Sequence, residues 1–120
     1  MVKTCRNVVA AAWEDNMEAE QLREVVDSEP MSIVYFSNQT CGACEVIRNR
    51  IGVILGSYPK VKIHDLVGEV ESRTAAAFDV YSYPLLILFV EGKETIRVGR
   101  NIDFLSFEKS LDRYYQMLGL

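Results

Sequence analysis

Segments with the pattern of buried strands alternate with segments of helical spacing along this chain of 120 residues. Runs rich in β-branched, aromatic or aliphatic residues predict strands at 32–36, 61–64, 85–90 and 95–98. Strands that are separated by helices pair in parallel, because a crossover connection is then long enough to return the chain to the same end of the sheet. The Glu91-Gly92 turn instead predicts an antiparallel hairpin between the last two strands.

Apolar residues at helical spacing predict helices between these strands, over 16–28, from Gly42 to about Gly56, over 69–78 and after Asp103. We expect Asp15 or Asn16 to cap the first helix and Asp103 to cap the last. The apolar stretch 7–12 is interpreted as the first strand. The order βαβαβαββα predicts an α/β fold in a single domain, residues 1–120, with a central mixed sheet and helices on both faces.

Composition and charge exclude several classes of protein. The formal net charge is −4 and the basic residues are scattered, so no surface for nucleic acid is expected. The longest apolar run, 85–90, is too short to span a membrane. We interpret the N-terminus as lacking a signal peptide and expect a cytoplasmic protein. The odd count of 3 cysteines argues against an extracellular disulfide scaffold.

The segment Cys41-Gly42-Ala43-Cys44 lies between a predicted buried strand and a predicted helix. Backbone N–H groups at the start of a helix have no intrahelical partner, and the helix dipole is positive there. Both effects favour a thiolate at Cys41, which is the reactive form of cysteine. The spacing of the two cysteines allows a disulfide to close within one turn. We therefore expect Cys41 to attack a disulfide and Cys44 to resolve the mixed disulfide that forms.

This cysteine pair has two other interpretations. The cysteines could have no chemical role, since the C-x-x-C pattern alone is a weak signal. They could also bind zinc, which needs about four ligands. Only Cys5 and His64 are left to complete a zinc site, and their spacing is unrelated to the pair. No metal is expected.

The chain resembles the thioredoxin superfamily over about residues 16–118. The resemblance depends on the strand that enters Cys41-Gly42-Ala43-Cys44, on Tyr83-Pro84 before the 85–90 strand, and on Glu91-Gly92-Lys93 and Gly99 in order. It implies a thioredoxin fold and thiol–disulfide exchange. It also implies that Pro84 is cis and lies against the disulfide, so that the backbone of Tyr83 can pair with a bound peptide.

The resemblance further implies a reductase of protein disulfides, similar to small thioredoxin-like proteins of Gram-positive bacteria. No bound cofactor is implied, because electrons come from a reductase or a low-molecular-weight thiol. The expected partner is a client protein with a disulfide, and we expect a monomer. Thr40 is assigned to client binding together with Tyr83 and Pro84. Tyr81 is a further candidate for substrate contact.

The sequence departs from thioredoxins proper at three positions. Thr40 stands where they carry Trp, Ala43 where they carry Pro, and Tyr35 where they carry a buried Asp that is thought to assist proton transfer. These departures leave a second hypothesis open, in which the chain is a binding or adaptor module with vestigial redox activity. The intact pair Cys41 and Cys44 favours the oxidoreductase.

Other polar residues receive modest roles. The single histidine, His64, is expected at the surface or half-buried rather than as a catalyst. Asp65 is at the end of a strand and is expected to form a turn, although it could approach the cysteines and replace the missing carboxylate. Glu45 and Arg48 are expected on the solvated face of the helix. No role is assigned to Cys5.

Overall fold

The computed structural model describes residues 13–15, 18–39, 41–68 and 72–120. The strands are β1 (Trp13–Asp15), β2 (Met31–Ser37), β3 (Lys62–Val67), β4 (Leu85–Val90) and β5 (Lys93–Val98). The helices are α1 (Ala19–Ser28), α2 (Gly42–Leu55), α3 (Ser72–Ala77) and α4 (Phe104–Met117). The described elements follow the predicted order βαβαβαββα. The predicted strand 7–12, residue Asn16 and residues 69–71 of the predicted third helix lie outside the described residues.

The described strands form a five-stranded sheet in the order β1-β3-β2-β4-β5. Strand β3 pairs in parallel with both β1 and β2, whereas β4 is antiparallel to β2 and to β5. The sheet is therefore mixed, as predicted. The expectation that strands separated by helices pair in parallel is wrong for β4, which follows α3 but pairs with β2 in the antiparallel direction. The β4–β5 hairpin turns through Glu91 and Gly92, whose φ angles of 52° and 82° match the twist of the flanking strands.

Alternate side chains of the central strands fill two cores, one on each face of the sheet. On one face, Ile33, Tyr35, Leu86 and Leu88 pack with residues of α2 and α4. On the other face, Val34, Phe36, Ile87 and Phe89 pack with residues of α1 and with Ala75 of α3. Strand β2 is buried along its whole length, its serines Ser32 and Ser37 included, and β4 is buried except at its two ends, because both faces of these strands are covered. The helices thus lie on both faces, as predicted.

Two expectations about the ends of helices have different outcomes. Asp103 caps α4, since its Oδ1 accepts the backbone N–H groups of Leu105 at 3.1 Å and of Ser106 at 3.3 Å. The predicted start of α1 is wrong. Asp15 lies in β1, and the helix begins at Ala19 with Glu18 as an N-cap that makes no side-chain hydrogen bond. Asp15 pairs with Asp65 of β3 and lies three residues before the N-cap position Glu18, so it is too early in the chain to cap the helix.

Candidate active site

The cysteine pair lies where the chain leaves the sheet and begins α2. Strand β2 ends at Ser37, and Cys41 is the N-cap residue of α2, with an extended backbone. A disulfide joins Cys41 and Cys44, whose Cα atoms are 5.3 Å apart. The backbone N–H of Cys44 donates to Cys41 Sγ at 3.1 Å. One of the free N–H groups of the helix start is thus directed at the sulfur of Cys41, where it stabilises a thiolate once the disulfide opens.

The two cysteines differ in their access to solvent. Cys41 is half-buried, whereas Cys44 is only 3 % exposed and belongs to the buried core. Gly42 and its surroundings are open, since a Cβ added there would meet no atom within 4 Å. A sulfur from another molecule can therefore reach Cys41 but not Cys44. This asymmetry makes Cys41 the accessible sulfur of the pair and Cys44 the enclosed one.

Tyr35 lies directly beneath the cysteine pair. Its side chain is fully buried, and its hydroxyl donates to the carbonyl oxygen of Cys44 at 2.7 Å. Burial raises the pKa of the Tyr35 phenol well above its usual range. The phenol therefore stays neutral and acts as a hydrogen-bond donor that fixes the first turn of α2. It cannot serve as the acid–base group that a carboxylate at this position would provide.

Arg48 and Asp65 form an ion pair next to Tyr35. Two nitrogens of the Arg48 guanidinium contact the two carboxylate oxygens of Asp65, and the guanidinium lies 5.7 Å from the centre of the Tyr35 ring. The side chains are 26 % and 14 % exposed. Strand pairing places Asp65 beside Tyr35, so that α2 is tied to β3 under the disulfide. The expectation of a solvated Arg48 is wrong, and Asp65 lies in the sheet rather than in a turn.

Glu45 completes the charges near the pair. Its carboxylate lies 4.0 Å from Arg48 Nε, and its side chain is 71 % exposed, as expected for the outer face of the helix. Water therefore screens Glu45 much more than it screens Asp65. Arg48 and Asp65 are therefore less screened by water than Glu45 is.

The segment before β4 approaches the same end of the sheet. The Tyr83–Pro84 peptide bond is cis, as the resemblance implied. Leu85 pairs with Phe36, so Pro84 lies beside the end of β2, from which the chain continues to Cys41. Tyr81 is 76 % exposed and Tyr83 is half-buried. The structure thus brings Tyr83 and Pro84 to the region of the cysteine pair.

Two glycines that sequence reasoning did not assign to the site make this arrangement possible. A Cβ at Gly68 would overlap the Tyr83 ring, so that only glycine leaves room for the ring there. Gly68 also donates its N–H to the Ser37 carbonyl at 2.7 Å, which holds the end of β3 against the end of β2. A Cβ at Gly99 would lie 3.3 Å from the Pro84 carbonyl oxygen. Both contacts join distant segments. Gly99 is among the residues on which the resemblance depends, whereas no local pattern marks Gly68.

Of the remaining candidate residues only His64 is described, and the structure does not bring it to the site. Thr40 and Cys5 lie outside the described residues. His64 is fully buried on the face of the sheet opposite Asp65, with Nε2 at 2.9 Å from Glu29 Oε1. The expectation of a surface or half-buried His64 is wrong, because β3 lies inside the sheet between β1 and β2. Within the described ranges, no cluster of three or more His, Cys, Asp or Glu residues could hold a metal ion.

No helix in the described part of the chain is long and apolar enough to cross a membrane.

Comparisons with known proteins give one consistent result. A family model described as Thioredoxin matches residues 13–112. The thioredoxin-like protein YdfQ of Bacillus subtilis is 25 % identical over 96 residues, which cover 80 % of this chain and 86 % of that protein. A thioredoxin of Chlamydia muridarum is 35 % identical over 65 residues, which cover 54 % of this chain and 64 % of the relative.

Solved structures share the fold at low sequence identity. An N21Q mutant thioredoxin from Halobacterium salinarum superposes with a TM-score of 0.74 at 17 % identity, covering 86 % of this chain and 90 % of that one. Oxidised thioredoxin O2 from Arabidopsis thaliana gives a TM-score of 0.73 at 19 % identity, with coverage of 87 % and 95 %. The α/β architecture is thus the thioredoxin fold.

The family match covers most of the chain and includes the Cys41–Cys44 disulfide at the start of α2. A redox-active pair in this position supports thiol–disulfide exchange. The chain therefore belongs to the thioredoxin family and is a thiol–disulfide oxidoreductase.

Proposed function

We propose that this protein reduces disulfide bonds of client proteins in the cytosol, with Cys41 as the attacking thiol and Cys44 as the resolving thiol. The observation that carries the proposal is the asymmetry of the pair. Cys41 is half-buried and accepts a backbone hydrogen bond, whereas Cys44 is 3 % exposed. A client disulfide can therefore meet only Cys41 first.

The exchange takes place in two steps. The Cys41 thiolate attacks one sulfur of the client disulfide; the client S–S bond breaks, a mixed disulfide forms, and the leaving client thiolate takes up a proton. Cys44 then loses its proton and attacks Cys41 Sγ, which releases the second client thiol and closes the Cys41–Cys44 disulfide. The client gains two electrons and two protons; the protein supplies both electrons and the Cys44 proton, and the solvent supplies the other proton. An external dithiol or a reductase returns the electrons to the protein.

Client docking is assigned to the segment beside the pair. Tyr83 precedes β4, and its half-buried position beside the cysteine region supports pairing of its backbone with an extended client peptide. Pro84 and Gly42 then border the space that the client disulfide enters. Thr40 completes this set as a proposal from the sequence, since it lies outside the described residues.

The remaining parts of the proposal concern the setting of the reaction. The protein needs no bound cofactor, because the dithiol itself carries the electrons. It acts as a monomer, and its clients are proteins. The net charge of −4 supports the view that it does not act on nucleic acid. A reducing direction requires a reduction potential near or below that of the cytosolic glutathione pool, which is about −220 mV or lower.

Turnover of a protein disulfide tests the proposal. We expect the wild-type protein to accelerate the reduction of insulin by dithiothreitol and Cys41→Ser to abolish this acceleration. Cys5→Ser is the matched control, since it removes the third cysteine and leaves the pair intact. Equal rates for the wild type and Cys41→Ser would reject the reductase and favour the adaptor module.

A further inference from the structure

A basic side chain lies on the backbone that is assigned to client docking. Arg100 follows β5 in the loop that leads to α4, and its Nη2 donates to the carbonyl oxygen of Tyr83 at 3.2 Å. Gly99, the residue before it, lies against the Pro84 carbonyl. The loop thus packs on the segment that precedes β4, and Arg100 extends along its edge. The Arg100 side chain is exposed, so it can also contact a docked molecule.

No carboxylate of the described residues forms an ion pair with Arg100. Arg23, Arg48 and Arg97 each pair with an acidic side chain, but none of the ion pairs among the described residues includes Arg100. The acid nearest to it in sequence, Asp103, uses both carboxylate oxygens to cap α4. Within the part of the chain that the structure describes, Arg100 therefore contacts a neutral carbonyl and no carboxylate, beside the expected path of the client.

The geometry leaves room for a client and Arg100 together. A carbonyl oxygen has two lone pairs, so Tyr83 can accept an N–H from a client strand while it keeps the Arg100 hydrogen bond. A guanidinium has five N–H donors in a planar fork, and the contact with Tyr83 uses one of them. The others suit a carboxylate, which arginine binds in a bidentate manner. Docking would also remove water from the pair and strengthen the attraction.

We propose that Arg100 is a specificity-determining residue that favours client peptides with a carboxylate next to the disulfide cysteine. This inference rests on the proposed function, because it requires a client strand at Tyr83. The rest of the chain works against such clients, since its net charge is −4 and Glu45 is exposed after Cys44. A preference for acidic clients therefore has to come from the local positive charge of Arg100 beside Tyr83.

Rates with matched peptides test this role. Three peptides share one sequence with an internal disulfide and differ only at the residue after the first cysteine, which is Glu, Gln or Lys. The reduced wild-type protein is mixed with each peptide, and the second-order rate constant is measured at low salt and in 0.5 M NaCl, where we expect ionic screening to weaken the effect. We expect the Glu peptide to react about fivefold faster than the Lys peptide at low salt, as for a surface ion pair.

Three variants locate the effect. Arg100→Gln is expected to bring the Glu/Lys ratio close to one, and Arg100→Glu to invert it. Arg113→Gln is the matched control, because it removes an exposed arginine of α4 and changes the net charge equally. It should keep the wild-type ratio.

The possible outcomes separate the two proposals. Reduction of all three peptides by the wild type at equal rates would overturn the role of Arg100 and leave the reductase standing. A Glu/Lys ratio that persists in Arg100→Gln, or that Arg113→Gln also removes, would overturn it as well. Failure of the wild type to reduce even the Gln peptide would reject the proposed function itself, and the role of Arg100 with it.

Discussion

The Arg48–Asp65 pair under the disulfide predicts opposite changes in the reduction potential for two variants that break the same contact. Reduction of the disulfide takes up two electrons and one proton and leaves one thiolate and one thiol. The positive charge of Arg48 stabilises the thiolate, and the negative charge of Asp65 destabilises it. Arg48→Met should therefore lower the reduction potential, and Asp65→Asn should raise it.

The size of these shifts follows from the positions of the charges. Arg48 follows Cys44 by one helical turn, and the Cβ atoms of residues at this spacing are about 5–6 Å apart. The Arg48 guanidinium extends to β3, where it contacts Asp65. A charge about 8 Å from a sulfur, at an effective dielectric constant of about 20–40, contributes about 1–2 kcal/mol. For a two-electron couple this corresponds to about 20–40 mV. The low exposure of both side chains, 26 % and 14 %, limits screening by solvent.

The assay is equilibration of each variant with glutathione redox buffers, followed by quantification of the free thiols. Glu45→Gln is the matched control, since it also removes a negative charge near Arg48 but from a side chain that is 71 % exposed. Its shift should have the sign of Asp65→Asn and be much smaller. Circular dichroism establishes that each variant is folded. Shifts of the same sign for Arg48→Met and Asp65→Asn would refute the electrostatic account. The Arg48–Asp65 ion pair would then have only a structural role, which is to join α2 to β3.

Three further outcomes are expected. Tyr35→Phe should lower the free energy of unfolding in urea by about 1 kcal/mol, the usual loss for one hydrogen bond. Because burial raises the pKa of Tyr35, this tyrosine should stay protonated up to about pH 11. An absorbance titration to that pH should therefore count the same number of ionised tyrosines in the variant and in the wild type. Gly68→Ala should displace the Tyr83 ring, destabilise the fold by about 1–3 kcal/mol and raise the KM for client peptides. Hydrogen bonds from Ser106 hold the pKa of Asp103 below its usual range, so the stability that its ionisation contributes is present above about pH 4 and is lost as the pH falls through the lowered pKa. Melting temperatures of Asp103→Asn between pH 2 and pH 5 should accordingly depend less on pH than those of the wild type.

Much of the fold could be predicted because its strongest elements carry local signals. Strand β4 is a continuous apolar run and has the predicted bounds, and α2 begins at the predicted Gly42. Asp103 supplies an N-cap of the kind that a sequence displays directly. Helix α1 begins later than its sequence pattern predicts, because Asp15 pairs in the sheet through a tertiary contact that local propensity does not contain.

The site was predictable only where it is local in sequence. The pair Cys41 and Cys44 follows from spacing and from its place between a strand and a helix. The charges and contacts around it join residues far apart in the chain, as for Arg48 with Asp65 and Arg100 with Tyr83. Each of these side chains alone has the pattern of a solvated surface residue. Their partners are decided by strand order and by the loops that the sheet brings together.

The central claim is that an accessible Cys41 attacks the client and a buried Cys44 resolves the intermediate. Mass spectrometry of the Cys44→Ser protein after mixing with a peptide disulfide tests it most directly. We expect a stable adduct of one protein with the attached peptide, mapped to Cys41, and only slow adduct formation at Cys44 in Cys41→Ser. An adduct that forms equally fast at Cys44 in Cys41→Ser, or no adduct at Cys41 in Cys44→Ser, would contradict the account.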